Sequence, residues 1–121
     1  MTEIQIFYAN VGVSALAANT ASVVRVDITR STISNNLGGF SAGAVIGNVV
    51  AAISNSLFSP NSDGISGNDT GVEITLSGNT VSNSAYGVFA ANGALIHTLQ
   101  NNAIRGNSIA DTTGLTPVGG N

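Results

Sequence analysis

The stretch Val72-Glu73-Ile74-Thr75-Leu76 decides the fold, because the chain carries this pattern four times. Apolar residues alternate with others over five positions, which is the period of a strand with one buried face. The copies begin 25, 23 and 23 residues apart, and an apolar anchor residue follows each copy at the same distance. Self-similarity at a fixed period indicates one unit stacked on copies of itself. The other copies are Val24-Arg25-Val26-Asp27-Ile28, Val49-Val50-Ala51-Ala52-Ile53 and Leu95-Ile96-His97-Thr98-Leu99, and the four anchors are Ile33, Phe58, Val81 and Ile104.

Aligning the four copies sorts the strand residues into columns that face inward and columns that face outward. Because successive side chains of a strand point to opposite sides, the alternating apolar residues are predicted to be buried and those between them exposed. The inward columns are Val24, Val49, Val72 and Leu95; Val26, Ala51, Ile74 and His97; and Ile28, Ile53, Leu76 and Leu99. The outward columns are Arg25, Val50, Glu73 and Ile96, and Asp27, Ala52, Thr75 and Thr98.

Small polar residues and glycines repeat at the same period. Side chains of one polar column are predicted to hydrogen-bond the equivalent residues of the next coil, about 4.8 Å away along the stack. A second column is rich in Asn and suits left-handed corners. A glycine followed by an apolar residue opens a third strand in each coil, and the same spacing read backwards assigns this role to Gly12-Val13, with Ile6 as its anchor. These columns are Ser31, Ser56, Asn79 and Asn102; Asn36, Asn61, Ser84 and Asn107; and Gly39-Phe40, Gly64-Ile65 and Gly87-Val88.

The repeat therefore predicts an all-β protein, a parallel β-helix or β-solenoid of about four to five coils of 23–27 residues in one domain over residues 1–121. Residues 1–22 would form an incomplete first coil without an N-terminal cap, residues 23–110 the repeated coils, and residues 111–121 a C-terminal tail. No segment carries the apolar stripe of a helix. The one strong hairpin signal, Asn92-Gly93, falls between coils.

Composition excludes several classes of function. Hydrophobic residues make up 43% of the chain and charged residues 7%, with a net charge of −3, and the three arginines are scattered. Because nucleic-acid binding depends on clustered cations, that class is rejected. There is no cysteine for a disulfide or a thiolate metal site, and we expect no metal and no cofactor. No apolar run reaches the roughly 20 residues of a membrane span, and the N-terminus lacks the features of a signal peptide, which leaves the compartment open.

Three polar phrases carry a resemblance to a known family. Residues 27–36, Asp-Ile-Thr-Arg-Ser-Thr-Ile-Ser-Asn-Asn, resemble bacterial right-handed parallel β-helix repeat proteins, as do residues 76–88 and 101–107. The resemblance implies a right-handed solenoid of the pectate-lyase-like superfold, corresponding to the C-terminal coils of longer members that are often exported. Because this superfold carries lyases, hydrolases, adhesins and spacers, it does not imply one activity.

The candidate catalytic groups are three residues of the outward columns, Arg25, Asp27 and Glu73, together with His97. The alignment places Asp27 and Glu73 two coils apart, about 10 Å, so the strands do not predict the carboxyl pair of a glycosidase. His97 is predicted to face inward, but a one-residue slip in the last coil would turn it outward beside Glu73, as an acid–base pair.

Two further groups of residues have alternative interpretations. Asp63 and Asp69 are predicted to be turn residues, although turn acids of this kind could approach each other. Tyr86 and Phe89 suit either stacking on a sugar or packing at a corner.

Outward apolar residues with few charges around them indicate a partner surface. Val50, Leu57, Phe89 and Ile96 belong to this set, together with a predicted loop at residues 44–46. We therefore expect a structural or binding module that forms a homo-oligomer, through the uncapped first coil or through an apolar outer face, with a carbohydrate contact. The alternative is a carbohydrate-active hydrolase or lyase, or a promiscuous hydrolase, with its site on the outward strand face or at a subunit interface.

Overall fold

The computed structural model describes residues 5–7, 9–99 and 101–117, which form strands and no helix. Parts of the expected first coil and C-terminal tail, residues 1–4, 8 and 118–121, lie outside the described residues. Across the described ranges no helix is long and apolar enough to cross a membrane. The strands are β1 (Gln5–Phe7), β2 (Val11–Thr29), β3 (Thr32–Ser34), β4 (Asn36–Ser54), β5 (Leu57–Phe58), β6 (Asn61–Asn68), β7 (Val72–Ser77), β8 (Thr80–Ser82), β9 (Tyr86–Ala91), β10 (Leu95–Thr98), β11 (Ala103–Arg105), β12 (Ala110–Thr113) and β13 (Leu115–Pro117).

The strands stack in parallel on three faces, which confirms the predicted β-solenoid. The first face has the order β1-β3-β5-β8-β11. The long strands β2 and β4 each contribute to the other two faces, because the first half of β4 pairs with β6 and its second half with β7. Gly47, at φ +95°, lies where β4 passes from one face to the next. Residues 44–46, predicted to be a loop, lie within β4, with Val45 and Ile46 exposed.

The predicted register holds through the first three copies of the repeat. Val49 pairs with Val24 and Val72, and the anchor Phe58 pairs with Ile33 and Val81. Ile6 pairs with Ile33, and Val13 with Phe40, so the role assigned to Gly12-Val13 is confirmed. The alternating apolar residues fill a single core between the three faces, since Phe40, Phe58, Ile65, Ile74 and Leu76 are fully buried.

The last copy is shifted by one residue, so the predicted inward position of His97 is wrong. Ile96 pairs with Ile74 and is 0% exposed, whereas Leu95, predicted to be buried, is 47% exposed. The cause is the turn between β9 and β10, in which the N–H of Ala94 donates to the carbonyl of Ala91. Its central residues, Asn92 and Gly93, have φ of 52° and 87°, as a type I′ turn requires.

This turn leaves one residue fewer than the preceding coil has at the same place, so the side chains of β10 change face. The buried face enforces the register, and Ile96 enters the core in place of His97. The shift ends before the polar column, because Asn102 still bonds Asn79. One extra residue between Thr98 and Asn102 therefore restores the period.

Two interior ladders of polar side chains join the coils, and the first of them confirms the prediction made from the period. Backbone N–H groups of Ser31, Ser56 and Asn79 donate to the side-chain oxygen of the corresponding residue one coil further on, at 2.8–3.1 Å. Asn36, Asn61 and Ser84 repeat this pattern at 3.0–3.2 Å. The second ladder does not supply left-handed corners. The left-handed corner residues lie one position before the ladder residues. Asn35 and Asn83 precede members of the second ladder, and Arg30 and Asn55 precede members of the first.

Candidate functional site

The outward surface of β2, β4, β7 and β10, here called the groove face, carries the candidate residues. Pairing places Arg25, Val50, Glu73 and Leu95 in one outward column. Asp27, Ala52, Thr75 and His97 form the next. Only the last member of each column differs from the prediction. Arg25 and Glu73 lie two coils apart, about 10 Å by strand spacing, with Val50 between them.

The shift in the last coil brings His97 and Glu73 together. The Nε2 atom of His97 lies 3.5 Å from Oε1 of Glu73, with the side chains 25% and 55% exposed. At this distance the two groups form an ion pair when the imidazole is protonated, and acid–base catalysis by the pair requires an approach to about 3 Å. Asp27 is left three coils away from His97 in the same column, so it does not join the pair.

A groove of about 300 Å³ runs along this face beside the pair. Its walls carry one cation, one anion and the uncharged polar residues Asn48 and Thr70, and Val50 lies between the two charges. Glu73 belongs to the lining, whereas His97 lies outside it. The lining residues are Val23, Arg25, Asn48, Val50, Thr70, Gly71, Val72, Glu73 and Leu95.

A second cavity, of about 390 Å³, lies on the face formed by β4, β6, β9 and β12, and is here called the aromatic cavity. Asp63, Tyr86, Phe89 and Thr113 line it. Asp63 pairs with Tyr86, and Phe89 pairs with Thr113, so the coil period builds the cavity. The ring centroids of Tyr86 and Phe89 are 6.0 Å apart, and the ring planes are inclined by 38°.

The position of Asp63 differs from the prediction, because this residue lies within β6 and not in a turn. Partial burial beside the two rings raises the pKa of the Asp63 carboxyl above its ordinary value. Asp69 is a turn residue as predicted: it has φ of 84°, and its carbonyl accepts the N–H of Val72. The two acids are six positions apart in extended chain, about 20 Å, so they form no pair.

Asp63 was missed as a site residue although a signal was present. It precedes Tyr86 by 23 residues, which is the coil period. Within the described ranges, no group of three or more His, Cys, Asp or Glu side chains is arranged to hold a metal ion.

Comparison of the chain with protein-family models, with curated proteins and with solved structures finds no match.

Proposed function

We propose that this chain is a structural β-solenoid module that associates with a second copy of itself through the groove face and contacts carbohydrate through the aromatic cavity. The observation that carries the self-association is the column Arg25–Val50–Glu73, in which opposite charges lie one coil to either side of an apolar residue.

This column is complementary to itself. In the proposed dimer the groove faces of two copies are in contact. The two copies are related by a two-fold axis that runs parallel to the strands, between the two faces and at the level of Val50. Their solenoid axes therefore point in opposite directions. Arg25 of each copy then faces Glu73 of the other, and Val50 faces its own counterpart. A two-fold interface requires this kind of isologous match, and opposite charges on facing surfaces favour the correct partner.

The shape of the groove agrees with the same arrangement. Val23 is exposed at the groove, two residues before Arg25 on the same side of the strand, and it pairs with Asn48. The next position along that column is Gly71, which also lines the groove. The same axis places Val23 of each copy over Gly71 of the other. Exposed apolar surface is thereby removed from water at both ends of the contact.

Arg25→Glu is expected to weaken self-association at least about tenfold, because like charges would face each other across the interface. Sedimentation velocity over a concentration series measures this change. Arg105→Glu is the matched control, since Arg105 is exposed on β11, away from the groove face, and should leave association unchanged. A wild-type chain that stays monomeric throughout the series, or an equal effect of the two substitutions, would contradict the proposal.

The second candidate function is a carbohydrate-active hydrolase or lyase, and the contact of His97 with Glu73 favours it. In that case Glu73→Gln and His97→Ala each abolish turnover of a glycan substrate while the far-ultraviolet circular dichroism spectrum is unchanged. Asp27→Asn is the control, because Asp27 lies three coils from His97 and should retain activity. If turnover persists in both test variants, the pair has no catalytic role.

A further inference from the structure

We infer that the aromatic cavity selects sugars that carry a free amino group, such as glucosamine units, over neutral or acidic sugars. This inference rests on the carbohydrate contact proposed above and names the chemical class of the ligand. Its three components are the Asp63 carboxylate, the two aromatic rings, and a row of hydroxyl groups beside them.

The carboxylate supplies the charge selectivity. Among the described residues, Asp63 is the one acidic residue that lines the cavity, and no cation or hydrogen-bond donor is bound to its carboxylate. Partial burial penalises the charged form of Asp63, in agreement with its raised pKa. An ammonium group in the cavity would compensate this unpaired charge, whereas the carboxylate of an acidic sugar would be repelled.

The aromatic rings favour the same ligand. Tyr86 and Phe89 lie on the same side of the solenoid as Asp63, with their centroids 6.0 Å apart. An ammonium group within about 6 Å of a ring centroid is attracted to the ring face, and this spacing allows one cation to reach both rings. The apolar face of a sugar ring packs on the same aromatic surface.

Hydroxyl groups next to the rings distinguish a sugar chain from a simple amine. Phe89 belongs to an outward column with Ser41 and Ser66 on one side and Thr113 on the other. Gly38, next to Asp63 in the neighbouring column, has no side chain to obstruct the approach along this row. An oligosaccharide laid along the solenoid axis therefore meets the rings first and hydroxyl partners about every 4.8 Å thereafter.

Isothermal titration calorimetry of the full chain with a glucosamine hexamer and with an N-acetylglucosamine hexamer tests this inference. We expect the glucosamine hexamer to bind about tenfold more tightly, because acetylation removes the charge that Asp63 and the rings attract. Asp63→Asn should abolish the difference between the two oligomers. Phe89→Ala should weaken the binding of both.

Asp27→Asn controls for general attraction between a polycation and an acidic protein, since it removes one negative charge far from the aromatic cavity and should preserve the preference. Equal binding of the two hexamers, or equal loss of the preference in Asp63→Asn and Asp27→Asn, would overturn the amino-sugar selectivity while leaving the carbohydrate contact in place. If neither hexamer binds, the carbohydrate contact itself is wrong, and the selectivity falls with it.

Discussion

Gly39→Ala is expected to lower the free energy of unfolding by about 3 kcal/mol, at the upper end of the usual cost of overpacking a core. A methyl group on Gly39 would meet the carbonyl oxygen of Gly64 in the next coil, and would lie 2.9 Å from Cδ1 of Phe58. A methyl group on Gly64 would likewise meet the carbonyl oxygen of Gly87. Because these carbonyls belong to the backbone of stacked coils, no side-chain rotation relieves the overlap.

The neighbouring residue provides a matched control for this substitution. A methyl group on Gly38 would meet only the methyl groups of Val11, at 3.7 Å, which is ordinary packing distance. Gly38→Ala should therefore leave stability unchanged or raise it slightly, since it reduces the conformational freedom of the unfolded chain. Urea denaturation followed by circular dichroism compares the two variants. Equal stability of the two would contradict the close packing of the glycine column.

Asn79→Ala is expected to cost about 3 kcal/mol, because it leaves two interior backbone groups without partners. Asn79 is 1% exposed. Its Oδ1 accepts the N–H of Ser56 at 3.0 Å, and its Nδ2 donates to the carbonyl of Ile53 at 2.7 Å. Asn79→Ser should recover part of the loss, since Ser56 supplies the acceptor oxygen at the neighbouring position of this ladder, to the N–H of Ser31.

Asn101→Ala is the control for the ladder. Asn101 also bonds the preceding coil, through the N–H of Gly78 and the hydroxyl of Ser77, but it does so at the exposed surface. Water replaces these bonds, so the change should stay within about 0.5 kcal/mol. If Asn101→Ala costs as much in urea denaturation as Asn79→Ala, burial does not determine the strength of the ladder bonds.

The sequence predicted the architecture because every coil repeats the same buried pattern. The pairing of Ile33 with Phe58, and of Phe58 with Val81, follows from the period alone. The polar ladder at Ser31, Ser56 and Asn79 follows for the same reason, since side chains at equal positions of successive coils lie one strand spacing apart.

The last coil and the candidate sites were less predictable because they depend on single residues. Asn92-Gly93 forms a tight turn that is one residue shorter than its counterpart, and this turned His97 outward beside Glu73. Two facts in the sequence pointed to the shift: the Asn-Gly pair, and an isoleucine next to the histidine that fits an apolar core better. Asp63 was assigned to a turn from its residue type, although the coil period places it beside Tyr86.

Charge reversal at both ends of the column Arg25–Val50–Glu73 tests self-association through the groove face most directly. In sedimentation velocity, Arg25→Glu and Glu73→Arg should each weaken the dimer, because each places like charges opposite one another. The double substitution Arg25→Glu with Glu73→Arg should restore association to about the wild-type level, since the two-fold axis pairs the exchanged charges again. A double variant that is as monomeric as the single variants would contradict the proposed interface.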